Sequence, residues 1–144
     1  MTETINQNVP PGFENELKNI AVDFDGVVHT FDKGWHDGTC YGDPIDGSLD
    51  ALKSLSQKFN VIIFSAKVRP DRPLVAGKTG TELVDEWLIK HNVRKYVTDI
   101  THEKPRAEYY IDDKAIEFLT WNQTLVKLGE IPDPSTKLSP NMWF

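Results

Sequence analysis

Cysteine is almost missing from this chain. Among 144 residues only Cys40 is present, so no disulfide can form within it, which suits a reducing compartment. Long apolar runs are missing too. None approaches the roughly 20 residues that span a bilayer. The opening MTETINQNVPPG has neither the basic nor the apolar region of a signal peptide. These absences lead to the expectation of a cytoplasmic protein with no membrane partner. Positive charge is in deficit: 16 Lys and Arg stand against 22 Asp and Glu, a net charge of -6. A field of that sign repels phosphate backbones and argues against long nucleic acid as a partner, while a small local basic site stays open. The four histidines, His29, His36, His91 and His102, lack the spacing of a zinc site and read as loop or surface residues. There are no internal repeats.

Two motifs are present only in part. AGKT, residues 76–79, resembles the end of a phosphate-binding P-loop, but Arg72 stands where that loop needs glycine. Cys40 lacks the arginine six positions on that a cysteine phosphatase requires; Asp46 is there.

What is present fits one α/β domain. Apolar residues make up 39% and charged residues 26%, ordinary values for a globular chain able to bury a core. Residues 1–16 read as a mobile arm, 17–130 as a single domain and 131–144 as an irregular, proline-containing tail. Within the domain, apolar runs predict strands at residues 20–24, 61–65, 96–100 and 107–111. Leu49, Leu52, Leu55 and Phe59 recur near helical spacing, predicting an amphipathic helix over 48–59. A second helix is predicted over 79–92, opened by a capping box at Thr79 and Glu82 and facing inward with Leu83, Val84, Trp87 and Leu88. Residues 114–128 read as a turn or helix. A loop rich in glycine runs over residues 29–46, and its Trp35 and Tyr41 either line a site or pack the loop down. Strands that alternate with helices and are apolar throughout predict a parallel sheet covered on both faces, a three-layer Rossmann-like arrangement.

In such a sheet, ligands bind outside the carboxyl ends of the strands. Chemistry-bearing residues stand at each predicted end: Asp23 and Asp25, then Ser65, then Lys104, then Asp112 and Asp113. If extension persists, Asp23 and Asp25 face the same side. Carboxylates crowded at one rim repel, and a hard cation such as Mg²⁺ relieves that repulsion. A hydroxyl and an ammonium beside them suit a phosphoryl group. Gly26 lets the chain turn sharply away from the strand without a side chain crowding the phosphate. Lys67 and Arg69, in the loop after the second strand, are candidate substrate contacts.

DFDGVV, IIFSA, EKP and YYIDD, in that order over residues 20–119, resemble the haloacid dehalogenase-like phosphatase superfamily. The resemblance implies a Mg²⁺-dependent phosphomonoester hydrolase that works through an aspartyl-phosphate. Asp23 would be nucleophile and metal ligand. Asp25 would be acid/base, with its backbone carbonyl on the metal. Ser65 and Lys104 would bind phosphate, and Asp112 and Asp113 would hold or orient the metal. The short loops match the small capless members, whose open sites take a bulky substrate or a lid from loops or a second subunit. The substrate class expected is a small phosphorylated molecule, a nucleotide or a polynucleotide end among them. Three other readings stand beside this one: a receiver-like signalling module phosphorylated on aspartate, a metal nuclease, and a catalytically idle assembly protein on the same fold.

Overall fold

A computed structural model describes residues 11–12 and 18–132. The predicted arm and tail therefore lie largely outside the described residues. The chain divides into two compact units, one ending at Asp113 and the other beginning at Lys114.

The first unit is built on four strands, β1 (Asn19–Asp23), β2 (Asn60–Phe64), β3 (Asp99–Thr101) and β4 (Tyr109–Ile111). All the pairings are parallel, in the order β3-β2-β1-β4. The first two strands are apolar along their centres because both faces are covered there: Ala21, Val61 and Ile63 have no exposed surface, and Ile20, Val22 and Ile62 have little. β4 departs from the expectation of a strand covered on both faces, since Tyr109, Tyr110 and Ile111 are all exposed. β3 begins later than the periodicity predicts. Residues Arg94–Tyr96 coil into a 3₁₀ turn, which takes the chain past Val97 before pairing starts.

Helix α1 (Ser48–Ser56) connects β1 to β2 and buries Leu52, with Leu49, Leu55 and Phe59 packed beside it. Helix α2 (Gly80–Lys90) connects β2 to β3 and buries Val84, Trp87 and Leu88. Its start is fixed as predicted. The Thr79 hydroxyl accepts from the Glu82 amide and the Glu82 carboxylate accepts from the Thr79 amide, both at 3.1 Å. That reciprocal pair satisfies two amides the helix leaves unpaired. The core joins Ile20, Val22, Val61 and Ile63 to these helical residues. The AGKT segment is a tight turn and helix cap: Val75 and Lys78 exchange backbone hydrogen bonds across Ala76 and Gly77.

In the second unit, helix α3 (Trp121–Lys127) is the helical part of residues 114–128. Thr120 caps it by accepting from the Gln123 amide, and Phe118 stacks edge-on to Trp121. No helix among the described residues is long and apolar enough to cross a membrane.

Candidate metal and phosphate site

The strand order sets the carboxyl ends of β1 and β4 side by side. From β1 the chain moves outward through β2 to β3, then crosses back to lay β4 on the other side of β1. In a parallel sheet, ligands bind outside the carboxyl ends of the strands where the order of the chain reverses, and β1 and β4 are neighbours at such a reversal. Val22 pairs with Ile111, so continuing the register sets Asp23 across from Asp112.

One carboxylate oxygen each from Asp23, Asp112 and Asp113 lies within 4.8 Å of the others. At that separation each pair of ionised groups repels by on the order of 3 kcal/mol at an effective dielectric of about 20, less where solvent reaches them. Burial and that crowding both act on Asp23. Asp23 is pushed up to about 7 from its ordinary 3.8, chiefly because burial disfavours its charge; the amide of Phe24, 2.8 Å away, pulls it down, while the charge of Asp112 and a hydrogen bond with Asp113 push it up further. The donor set is all carboxylate oxygen, the chemistry of a hard divalent cation.

Gly26 makes this convergence sterically feasible. Its φ is +85°, and a Cβ there would stand 2.4 Å from Asp113 Oδ2. Sequence reasoning gave Gly26 the task of keeping a side chain off the phosphate. The structure shows that the group lying against it is the Asp113 carboxylate.

Asp25 does not join the cluster. The chain leaves its extended path immediately after β1: the Phe24 carbonyl accepts from the amides of Val27, Val28 and His29. The Asp25 carboxylate instead accepts from His29 Nδ1 at 2.9 Å and from Lys67 Nζ at 3.2 Å. Neither partner was assigned this place from sequence. His29, expected in a loop or on the surface, is wholly buried, stacked on Phe24 and edge-on to Tyr41 and Trp87. Lys67, expected among the substrate contacts, is 2% exposed. The one local hint for His29 was its spacing four residues after Asp25.

Ser65 lies where predicted, directly after β2, and is buried. Its hydroxyl oxygen accepts from the Lys67 amide and caps a 3₁₀ turn at Ala66–Val68, which leaves its hydrogen to donate to a ligand. Lys104 sits in the β3–β4 connection, exposed, its ammonium 4.4 Å from the centre of the Tyr110 ring. It makes no ion pair with a described carboxylate. Arg69 is also exposed and is held by both oxygens of Asp71. Tyr41 packs the first loop down, donating to the Gly34 carbonyl and accepting from the Lys33 amide. Trp35 lies under the Arg72 guanidinium at 3.8 Å. The Cys40 thiol is pushed up to about 11, mainly by burial, and is therefore a poor nucleophile.

Comparison of the chain with family models, curated proteins and solved structures returns no match. The functional reading therefore rests on the geometry of the site.

Proposed function

We propose that this chain is a Mg²⁺-dependent phosphomonoester hydrolase acting through an aspartyl-phosphate on Asp23. The observation that carries the reading is the separation of its carboxylates into two environments. Asp23 converges with Asp112 and Asp113 at the carboxyl ends of β1 and β4, whereas Asp25, two residues on, is held apart by a lysine and a histidine. That division suits one carboxylate that attacks and another that moves a proton.

Asp23, Asp112 and Asp113 would hold the cation, with the backbone carbonyl of Asp25. When bound, the cation offsets the charge of the carboxylates and of the incoming phosphate. Ser65 and Lys104 would bind the phosphoryl oxygens, the first through its hydroxyl and the second through its ammonium. An oxygen of Asp23 attacks phosphorus as the ester P–O bond breaks. Asp25 gives its proton to the departing oxygen, releasing an alcohol. Asp25 then takes a proton from water, which attacks phosphorus, breaks the bond to Asp23 and yields inorganic phosphate.

The finer expectations belong to the same reading. They are a three-layer capless fold, a cytoplasmic setting, a small phosphorylated substrate, and a lid supplied by loops or by a second copy of the chain. The parallel sheet and its order support the α/β fold; the setting rests on the single cysteine, and the substrate and lid on the sequence resemblance. The test is phosphate release from a broad panel of phosphomonoesters with Mg²⁺, for wild type and Asp23→Asn. The variant is expected to lose activity by orders of magnitude. Equal activity in the two proteins would falsify the covalent route.

A further inference from the structure

We infer that Lys67 and His29 are positioning residues that occupy one edge of Asp25 and commit its other oxygen to proton transfer with the substrate. The inference rests on the hydrolase reading above and adds to it the means by which the acid is aimed.

Both bonds to Asp25 fall on the same atom. His29 Nδ1 lies 2.9 Å from Oδ1, and Lys67 Nζ lies 3.2 Å from it. Both act as donors. Lysine carries only donors. For His29 the tautomer follows from its second nitrogen: the Gly42 amide donates to Nε2 at 2.8 Å, so Nε2 is bare and the ring hydrogen sits on Nδ1. With Oδ1 accepting twice, a proton carried by Asp25 belongs on Oδ2.

The clamp is built from well-fixed parts. Trp87 Nε1, on α2, donates to the Gly42 carbonyl at 2.9 Å, and the amide of the same residue meets His29. Position 42 must be glycine for this, since a Cβ there would lie 2.2 Å from the Thr30 hydroxyl and 3.1 Å from His29 Nε2. A hydrogen-bonded line thus runs from helix α2 to Asp25. Lys67 has an equally complete surround. Its ammonium donates to the Thr39 carbonyl at 3.1 Å and lies 5.5 Å, 5.6 Å and 5.9 Å from the ring centres of Trp35, Phe31 and Phe24. Lysine is among the residues least often buried, and a buried ion pair adds little stability over an apolar pair. A task at Asp25 accounts for its presence here. Because Thr39, Trp35 and Phe31 belong to the loop after β1, Lys67 also ties that loop to the acid.

The experiment compares kcat/KM for phenyl phosphate and 4-nitrophenyl phosphate. The two have similar shape, but phenolate is the poorer leaving group and depends more on a proton. kcat/KM reports the steps through departure of that group. Lys67→Met is expected to cost phenyl phosphate about 100-fold and 4-nitrophenyl phosphate only a few-fold, because a general acid supplies about 10²–10⁴-fold. In an Asp25→Asn background the same substitution should cost nothing further. His29→Asn, which keeps a donor near the Nδ1 position, should retain more activity on phenyl phosphate than His29→Leu, and this pair carries the test if Lys67→Met fails to fold. Equal losses on both esters, no loss, or an undiminished loss without Asp25 overturns the positioning role. Where the aryl esters are not hydrolysed, the same comparison is made on two esters from the broad panel whose leaving alcohols differ in acidity; wild type that releases phosphate from no ester of the panel, or Asp23→Asn as active as wild type, overturns the hydrolase reading and the inference with it.

Discussion

Asp23 is a carboxylate placed where its own charge is disfavoured. It is half-buried, beside Asp112 and Asp113, and titrates near 7 in place of 3.8. The consequence for stability runs opposite to that of a salt-bridged aspartate. Between about pH 4 and 7 the folded chain keeps a proton that the unfolded chain has lost. The contribution of Asp23 to stability therefore falls as pH rises through that window and levels off above it, while His91, held below its ordinary value mainly by burial, contributes with the opposite sign. Removing the charge should reverse the effect. In chelator, Asp23→Asn is expected to melt at a higher temperature than wild type above pH 7, with the gap closing toward pH 4. Thermal unfolding followed by circular dichroism across that range checks it; a gap between variant and wild type that does not widen from pH 4 to pH 7 would contradict the raised value of Asp23. The candidate ligands were legible in the sequence, because carboxylates at apolar strand ends announce themselves. Lys67 and His29 were not. A buried lysine reads like any loop lysine until its carboxylate, 42 positions away, is seen against it.

Elements whose boundaries depend on neighbouring residues were read most closely. The start of α2 follows from Thr79 and Glu82 alone, since the capping box is closed within four residues. Thr79→Ala should lower stability by about 1 kcal/mol, as loss of a helix cap does. Urea unfolding checks this, and a midpoint unchanged from wild type would show that the cap contributes nothing. The solvent-exposed lysine–glutamate pair on this segment, Lys78 with Glu86, should matter less, since exposed ion pairs contribute roughly 0–1 kcal/mol. β3 and β4 were read less well. Both are three residues long, too short for periodicity to locate, and their limits are set by pairing with β2 and β1. The exposure of β4 likewise had no local signal: Tyr-Tyr-Ile is apolar whether or not anything covers it.

The whole molecule contributes the meeting of distant strand ends. Because β4 returns to the far side of β1, residues 23 and 112 meet, though 89 positions separate them. A cation in that place links binding to folding, for the cluster exists only when the sheet is formed. Mg²⁺ should raise the melting temperature of wild type, and more at about pH 8 than at about pH 5, since protons compete for the carboxylates. Gly26→Ala should abolish the shift, because the new methyl group displaces Asp113. Melting curves with Mg²⁺ and with chelator decide it; a shift of equal size in Gly26→Ala would place the cation elsewhere. The chain by itself determined the alternation of strands and helices, the helix cap and the carboxylates at strand ends, since these arise from periodicity and contacts a few residues long. Only the tertiary structure decided that Asp23 and Asp25 part company. The turn after β1 sends one carboxylate to Asp112 and Asp113 and the other to Lys67 and His29, and of these partners only His29, four residues from Asp25, is a neighbour in the chain.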